Sequence, residues 1–184
     1  MTDVSRGARP EQAALTRDND LSKTEASRGL IAALVDSLND HVIEGQEALW
    51  HPDARWIGSG GCGVKPNLRA FQDGWQRPFL NAFSDKVCVD EARIAEGEWV
   101  AAFGRQEATH TGDFMGIPAT GKRVQVRYMD FWKVVDGKIR DNWVMIDVVG
   151  VMRQLGVDPL QGKGWDGFGE GWRPPVAPEP ATAG

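Results

Sequence analysis

The spacing of apolar residues divides the chain into a helical first half and a β-rich second half. Apolar residues recur at every fourth position from Leu30 to Leu38, which predicts an amphipathic helix. Ser22 and Glu25 match the S-x-x-E pattern of a capping box, in which the first residue caps the helix and the fourth reaches back to it. We therefore expect the first helix to begin at Ser22.

The rest of the first half is predicted to form short elements around a glycine-rich loop. A short helix is predicted at 46–49 and a short strand at 55–57. A further helix is predicted from Pro66, because proline is favoured in the first turn of a helix. Pro78 is predicted to kink or end this helix, because proline has no N–H to donate.

The second half contains four runs in which apolar and polar residues alternate. They lie at 86–95, 98–110, 122–135 and 138–147. Asp136 and Gly137, between the last two runs, are typical of a tight hairpin. Helices followed by a long antiparallel meander indicate an α+β fold, in which a curved antiparallel sheet wraps around the N-terminal helices. Such a sheet leaves a cavity between its concave face and the helices.

Both ends of the chain are expected to lie outside this domain. Residues 1–21 are polar and unpatterned, and residues 156–184 form an extension that ends in a Pro/Ala-rich stretch. Neither end can bury enough apolar surface to offset the entropy cost of ordering it. We therefore predict one domain at 22–155, with a disordered segment before it and an extension after it.

Charge and composition exclude several classes of function. The 184 residues carry a net charge of −5, and no Lys/Arg cluster is long enough to follow a phosphate backbone, so nucleic acid is not an expected partner. Cys62 and Cys88 are too far apart for a CxxC pair, and the three histidines form no zinc pattern, so no metal is predicted. Both cysteines are expected to be reduced core residues.

The sequence shows neither a signal-peptide run nor a membrane span of about 18 apolar residues, which predicts a cytoplasmic protein without a membrane partner.

One acid interrupts the apolar alternation of the third predicted strand of the meander. Asp130 shares a face with Tyr128 and Trp132, which directs its carboxylate toward the cavity. It is either a structural ion-pair member, with Arg105 or Arg140 as its partner, or a general acid or base whose pKa the apolar cavity raises. The pattern alone leaves both interpretations open.

The opposite face of the last strand carries large apolar side chains. If Asn142 faces the cavity, Trp143 and Met145 must lie on the outer face of the sheet. Exposed apolar patches usually bind a partner. We therefore expect a homodimer that forms through this outer face.

Three segments of the second half resemble one known family. They are THTGDFMGIPATGKRV at 109–124, DFWKVVDGKIRDNWVMIDVVGVMRQLG at 130–156 and GWRP at 171–174. They are similar to the SnoaL-like polyketide cyclases of the nuclear transport factor-like superfamily. The resemblance implies a cone-shaped α+β fold and cofactor-independent ring closure of an aromatic polyketide by an acid/base aspartate, which histidines assist.

By position, the family's site residues are altered in this chain. The catalytic aspartate falls on Val144, and the two assisting histidines fall on Asn142 and Asp130. Because valine cannot move a proton, the resemblance implies that the family's mechanism cannot operate unchanged. The same matching places Asp130 at a pocket position and favours its functional interpretation.

Under the first hypothesis, the chain is an enzyme of the cyclase or isomerase type that acts on a polyketide-like or aromatic carbonyl compound. Asp130 abstracts a proton next to a carbonyl, while Asn142 and Tyr128 donate hydrogen bonds to the enolate oxygen. The predicted substrate-binding residues are Tyr128, Asn142, Trp56, Trp132 and Val144.

Two other hypotheses remain. A binding protein of the same fold would hold a small hydrophobic or aromatic ligand without turnover, and the loss of the family acid at Val144 favours this alternative. A purely structural dimerisation module would have a cavity filled by side chains.

Overall fold

A computed structural model describes residues 19–163, which form four α-helices and six β-strands. The helices are α1 (Leu21–Asn39), α2 (Leu68–Phe71), α3 (Arg77–Ala82) and α4 (Val148–Leu155). The strands are β1 (Trp50–Gly58), β2 (Val64–Lys65), β3 (Val87–Glu96), β4 (Trp99–Thr109), β5 (Arg123–Val135) and β6 (Lys138–Ile146). The predictions for the chain ends and for the GWRP segment fall mainly or wholly outside the described residues.

The six strands form one curved sheet in the order β2-β1-β6-β5-β4-β3. The α+β fold and the meander from β3 to β6 are confirmed. One pair outside the predicted meander is not antiparallel, because β1 lies parallel to β6. This pairing joins strands that are far apart in the sequence, so no local turn signal announces it.

The residue that caps the first helix is Asp20, two positions before the Ser22 that the capping box predicts. The Asp20 carboxylate accepts the backbone N–H groups of Ser22 and Lys23, both at 3.0 Å, and therefore caps the helix. The Ser22 hydroxyl donates to the same carboxylate at 2.7 Å instead of capping. Aspartate at the N-cap satisfies the free N–H groups of the first turn, which Ser22 was predicted to do.

The helix predicted from Pro66 is built differently in two places. Asn67 caps it, because its side-chain oxygen accepts the N–H of Ala70 at 2.9 Å. Pro78 neither begins nor ends a helix, since it lies inside α3, directly after a π-helical turn at Gln72–Gln76. Proline cannot donate to the carbonyl four residues before it, and the wider turn accommodates that missing bond. The predicted helix at 46–49 is a 3₁₀ turn at Gln46–Ala48.

Helix α1 packs across β3 and β4 and is fixed to the sheet at both ends. Near its start, the Thr24 hydroxyl accepts the N–H of Gly97 in the β3–β4 turn at 2.8 Å. At its end, the side chain of Asn39 accepts the N–H of Cys88 at 2.7 Å and donates to the carbonyl of the same residue at 3.2 Å. The helix therefore closes the concave face of the sheet without filling it.

The period-two alternation predicted for β5 is confirmed. Its inward side chains, from Val124 to Val134, are all buried, whereas Met129 and Phe131 on the other face are exposed. Asp130 is one of the inward residues. Within residues 19–163, no helix combines the length and apolar character that crossing a membrane requires.

Candidate active site

A cavity with an accessible volume of about 70 Å³ lies between the helices and the concave face of the sheet. Aromatic rings form much of its wall. Trp56 stacks between Phe71 and Trp75, with ring centroids 5.2 Å apart on both sides, and Trp75 stacks in turn on Phe79 at 5.0 Å. A wall of stacked aromatic rings suits an apolar ligand.

Asp130 lies in this cavity, and its side chain is buried. Its Oδ1 atom accepts a hydrogen bond from Nδ2 of Asn142 at 2.8 Å. Burial raises the pKa of Asp130 to about 7, an effect that the nearby charge of Asp90 increases and the Asn142 hydrogen bond opposes. At neutral pH the group therefore exists in both protonation states, as a proton-transfer group requires.

The arginine interpretation of Asp130 is wrong. Arg105 pairs instead with Glu107 at 2.9 Å and with Glu91 at 3.2 Å, on the far side of β4 from the cavity. Neither Arg105 nor Arg140 forms an ion pair with Asp130 within residues 19–163. The carboxylate is therefore buried with an amide as its partner and without a cation.

Asn142 and Tyr128 line the cavity, but the N–H and O–H groups predicted to hold an enolate are already in use. Nδ2 of Asn142 donates to Asp130 and also lies 3.3 Å from the carbonyl oxygen of Phe131. The Tyr128 hydroxyl donates to the carboxylate of Asp90. Each of these hydrogen bonds joins two different strands: Tyr128 of β5 to Asp90 of β3, and Asn142 of β6 to Asp130 of β5. The alternation within a single strand could not predict these partners.

Three further predicted residues also line the cavity. Val144 lies directly opposite Asp130 in the β5–β6 pairing, so its methyl groups help to exclude water from the carboxylate. Trp56 contributes to the stacked wall described above. Trp132 follows Asp130 by two residues on the same face of β5, and its buried indole N–H has no hydrogen-bond partner among residues 19–163.

The sequence prediction missed several polar residues of the cavity. These are His41, Gln76, Lys86 and Gln106. Lys86 precedes β3 by one residue and shares the inward face with Cys88, so a strict period-two count from Cys88 would have found it. His41 and Gln76 carry no such signal, because they come from a loop and from the π-helical turn.

Within residues 19–163, no three His, Cys, Asp or Glu side chains come together in a way that could hold a metal ion. Cys62 and Cys88 are free and buried, as predicted. Burial also raises the pKa of the Cys88 thiol, which keeps it protonated.

Comparison with known proteins gives one consistent result. The family described as SnoaL-like polyketide cyclase matches residues 29–155. Nogalonic acid methyl ester cyclase of Streptomyces nogalater is 33% identical over 144 residues, which cover 77% of this chain and 100% of that protein.

Solved structures agree with this match. IdmH of Streptomyces antibioticus, a proposed polyketide cyclase, superposes with a TM-score of 0.63 at 26% identity, covering 71% of this chain and 99% of that one. AclR of Streptomyces galilaeus, a proposed hydroxylase, superposes with a TM-score of 0.64 at 26% identity, covering 74% of this chain and 84% of that one. The chain therefore belongs to the SnoaL-like polyketide cyclase family.

Proposed function

We propose that this chain is a cofactor-independent cyclase that closes a ring in an aromatic polyketide, with Asp130 as the proton-transfer group. The observation that carries the proposal is the state of this carboxyl group, which is buried in an open aromatic cavity, bonded to an amide, and has a pKa of about 7. A base with a pKa near the working pH transfers protons most effectively.

The proposed reaction is an intramolecular aldol ring closure that returns every proton. The Asp130 carboxylate takes a proton from a carbon next to a carbonyl, and the C–H electron pair forms an enolate. The enolate carbon attacks a second carbonyl carbon of the same molecule, which becomes an alkoxide. The alkoxide then takes the proton from Asp130, so the carboxylate is regenerated and no cofactor is consumed.

The relatives indicate the class of substrate. The 33% identical cyclase is named for nogalonic acid methyl ester, and it is matched over its whole length. We therefore propose a carbonyl-bearing, fused-ring polyketide as the substrate, which would contact the aromatic wall that contains Trp56 and Trp75. AclR, which is named as a hydroxylase, shows that other reactions have been assigned to this fold.

An enolate needs a hydrogen-bond donor, and we assign this role to Trp132. The donor groups of Asn142 and Tyr128 are engaged elsewhere, whereas the Trp132 indole N–H lies beside Asp130 on the same strand face and has no partner within residues 19–163. A buried donor without a partner costs free energy in the empty protein. A bond to the developing oxyanion would recover that cost in the transition state.

A second candidate function is ligand binding without turnover. The observation that favours it is Val144, which by resemblance occupies the position of the family's catalytic aspartate. Under this hypothesis the cavity and its aromatic wall bind the same flat compounds, but no product forms.

Replacing Asp130 by Asn separates these candidates. We expect Asp130→Asn to retain the fold and substrate binding, but to lower the rate of cyclisation of nogalonic acid methyl ester by roughly 10²–10⁴-fold, because an amide keeps the shape but cannot take the proton. Product formation is followed by chromatography, and binding by quenching of tryptophan fluorescence.

Asp136→Asn, in the exposed β5–β6 turn, is the matched control and should retain full activity. Binding of the ester by the unmodified protein without any product would favour the binding-protein candidate. Equal activity of Asp130→Asn and the unmodified protein would remove Asp130 from the mechanism.

The role of Trp132 is tested by Trp132→Phe, which keeps most of the apolar wall and removes the N–H. We expect kcat to fall by roughly 10²-fold, the effect of losing one oxyanion donor, while binding of the substrate changes little. Trp99→Phe, which lies outside the cavity, is the control for loss of an indole, and sedimentation checks that both variants keep the association state of the unmodified protein. A reduced affinity with unchanged kcat would show that Trp132 serves only as wall.

We also propose that the outer face of the sheet forms a homodimer. Large apolar side chains are exposed across β3 to β6 on this face, namely Ile94, Trp99, Phe103, Met129, Phe131, Trp143 and Met145. Trp99 and Trp143 stack with ring centroids 5.6 Å apart, and Met145 is 64% exposed. A contiguous apolar patch of this kind is typical of an interface.

Association is tested with Trp143→Glu. We expect this substitution to convert the dimer to monomer in sedimentation velocity, since burying an unpaired carboxylate at an interface costs several kcal/mol. Leu21→Glu adds the same charge at an exposed position in α1 and should leave the dimer intact. A monomeric unmodified protein at micromolar concentration would refute the interface.

A further inference from the structure

Lys86 is a buried cation at one end of the cavity. Its side chain lines the cavity and is 5% exposed, and Nζ donates to the backbone carbonyl of Leu38 at 2.7 Å. No carboxylate forms an ion pair with it within residues 19–163. An ammonium group has three N–H donors, so this bond leaves part of its capacity unused.

Desolvation makes this arrangement costly. A buried charge is stable when it is paired, and burial lowers the pKa of Lys86, with the Cys88 thiol as the opposing influence. The carbonyl of Leu38 belongs to the C-terminal end of α1, where the helix dipole offers partial compensation. A ligand oxygen with negative charge would complete the coordination of the ammonium.

A second polar group without a partner lies beside Lys86. Gln106 pairs with Cys88 across β3 and β4, which places its side chain on the same inward face, next to that of Lys86. Its Oε1 is buried without a hydrogen-bond partner among residues 19–163, so this acceptor does not fix the orientation of the amide, and the N–H₂ group can turn toward a ligand oxygen. Buried polar side chains normally find partners, so an unused amide in a cavity is a candidate for ligand recognition.

The backbone around Lys86 is held firmly. His41 Nε2 lies 2.8 Å from the Lys86 carbonyl oxygen, and Asn39 makes two hydrogen bonds with the backbone of Cys88. These bonds tie the end of α1 to the start of β3, so the position of the ammonium is set by two elements of the fold. Lys86 is therefore held in a fixed position by the fold, unlike a flexible surface lysine.

We propose that Lys86 and Gln106 form an anion-binding part of the cavity, which takes a negatively charged oxygen of an aromatic ligand, either a carboxylate or a phenolate. Lys86 supplies the charge and Gln106 a neutral hydrogen bond. Asp130 lies among Asn142, Val144 and Trp132, so the site orients a flat ligand with its anionic oxygen at Lys86 and its reacting carbon toward Asp130. This inference rests on the proposed function for the aromatic nature of the ligand, but not on turnover.

Equilibrium binding of matched probes tests the proposal. Anthraquinone-2-carboxylate and its methyl ester share one ring system and differ in charge, and 2-hydroxyanthraquinone with its methyl ether provides the phenolate arm. At a pH where the probes are ionised, we expect the unmodified protein to bind each anion about tenfold or more tightly than its neutral partner, because hydrogen bonds to charged groups are the stronger ones. Quenching of cavity tryptophans reports binding.

Lys86→Met, which keeps an apolar stem, should abolish the preference for the anion while retaining affinity for the ester. Lys138→Met is the matched control, because it removes a lysine that also donates to a backbone carbonyl, that of Glu47, but lies outside the cavity, so the preference should persist. If Lys86→Met does not fold, Lys86→Gln replaces it, with folding checked by thermal unfolding.

The proposal is overturned if the unmodified protein binds the ester as tightly as the acid, if it binds neither, or if the preference survives in the Lys86 variant. A carboxylate preference without a phenolate preference, or the reverse, supports the site and identifies the oxygen it accepts. If the protein prefers the anion but forms no product, only the cyclase proposal is refuted. If it forms product but shows no preference for the anion, only the anion-site proposal is refuted.

Discussion

The burial of one carboxyl group without a cation is the constraint on which the rest of this site depends. Charged groups in protein interiors are normally paired, and breaking such a pair costs several kcal/mol. Among residues 19–163, Asp130 has only the neutral amide of Asn142 as a partner, so burial raises its pKa to about 7, and protonation then removes the cost of the buried charge. The stability of the empty site and its capacity to exchange a proton therefore have the same physical origin.

The β-sheet register creates this environment. The pairing of β5 with β6 sets Val144 opposite Asp130 and brings the amide of Asn142 to its carboxyl group, so one side is apolar and the other donates a hydrogen bond. The second acid of the region, Asp90, is treated differently. It accepts the Tyr128 hydroxyl and is paired with Arg93, whose Nε lies 2.9 Å away. Two neighbouring carboxyl groups thus differ in their environment, since within the described part of the chain Asp90 is paired with a cation and Asp130 is not. Such a difference commonly gives two acids different roles in one site.

Period-two alternation is a local property of a strand, and this is why the sequence alone located much of the site. It placed Tyr128, Asp130 and Trp132 on the inward face of β5, and the family resemblance added Asn142 and Val144 on β6; all five line the cavity. The direction of each hydrogen bond could not be predicted in this way. The partners of Tyr128 and Asn142 depend on which strands lie adjacent and on local bulges, such as the register shift between Asp90 and Ala92.

Features that depend on long-range contacts or competing caps were predicted less well. The parallel pairing of β1 with β6 joins distant segments, and the first helix takes Asp20 as its cap although Ser22 also fits a capping pattern. His41 and Gln76 reach the cavity from a loop and a π-helical turn, which have no period to count. The family resemblance supplied the fold, yet it could not supply Lys86 or Gln106, since these positions entered none of its motifs.

The central claim is that Asp130 in its ionised form removes a proton from the bound substrate. The most direct measurement is the pH dependence of kcat/KM for exchange of substrate hydrogen with deuterated solvent, at carbons next to a carbonyl. Because only the carboxylate can act as the base, the rate should rise with pH, reach half its limit near the Asp130 pKa of about 7, and level off above it. Asp130→Asn should remove both the exchange and this pH dependence. A rate that does not change across this pH range, or that persists in Asp130→Asn, would contradict the account.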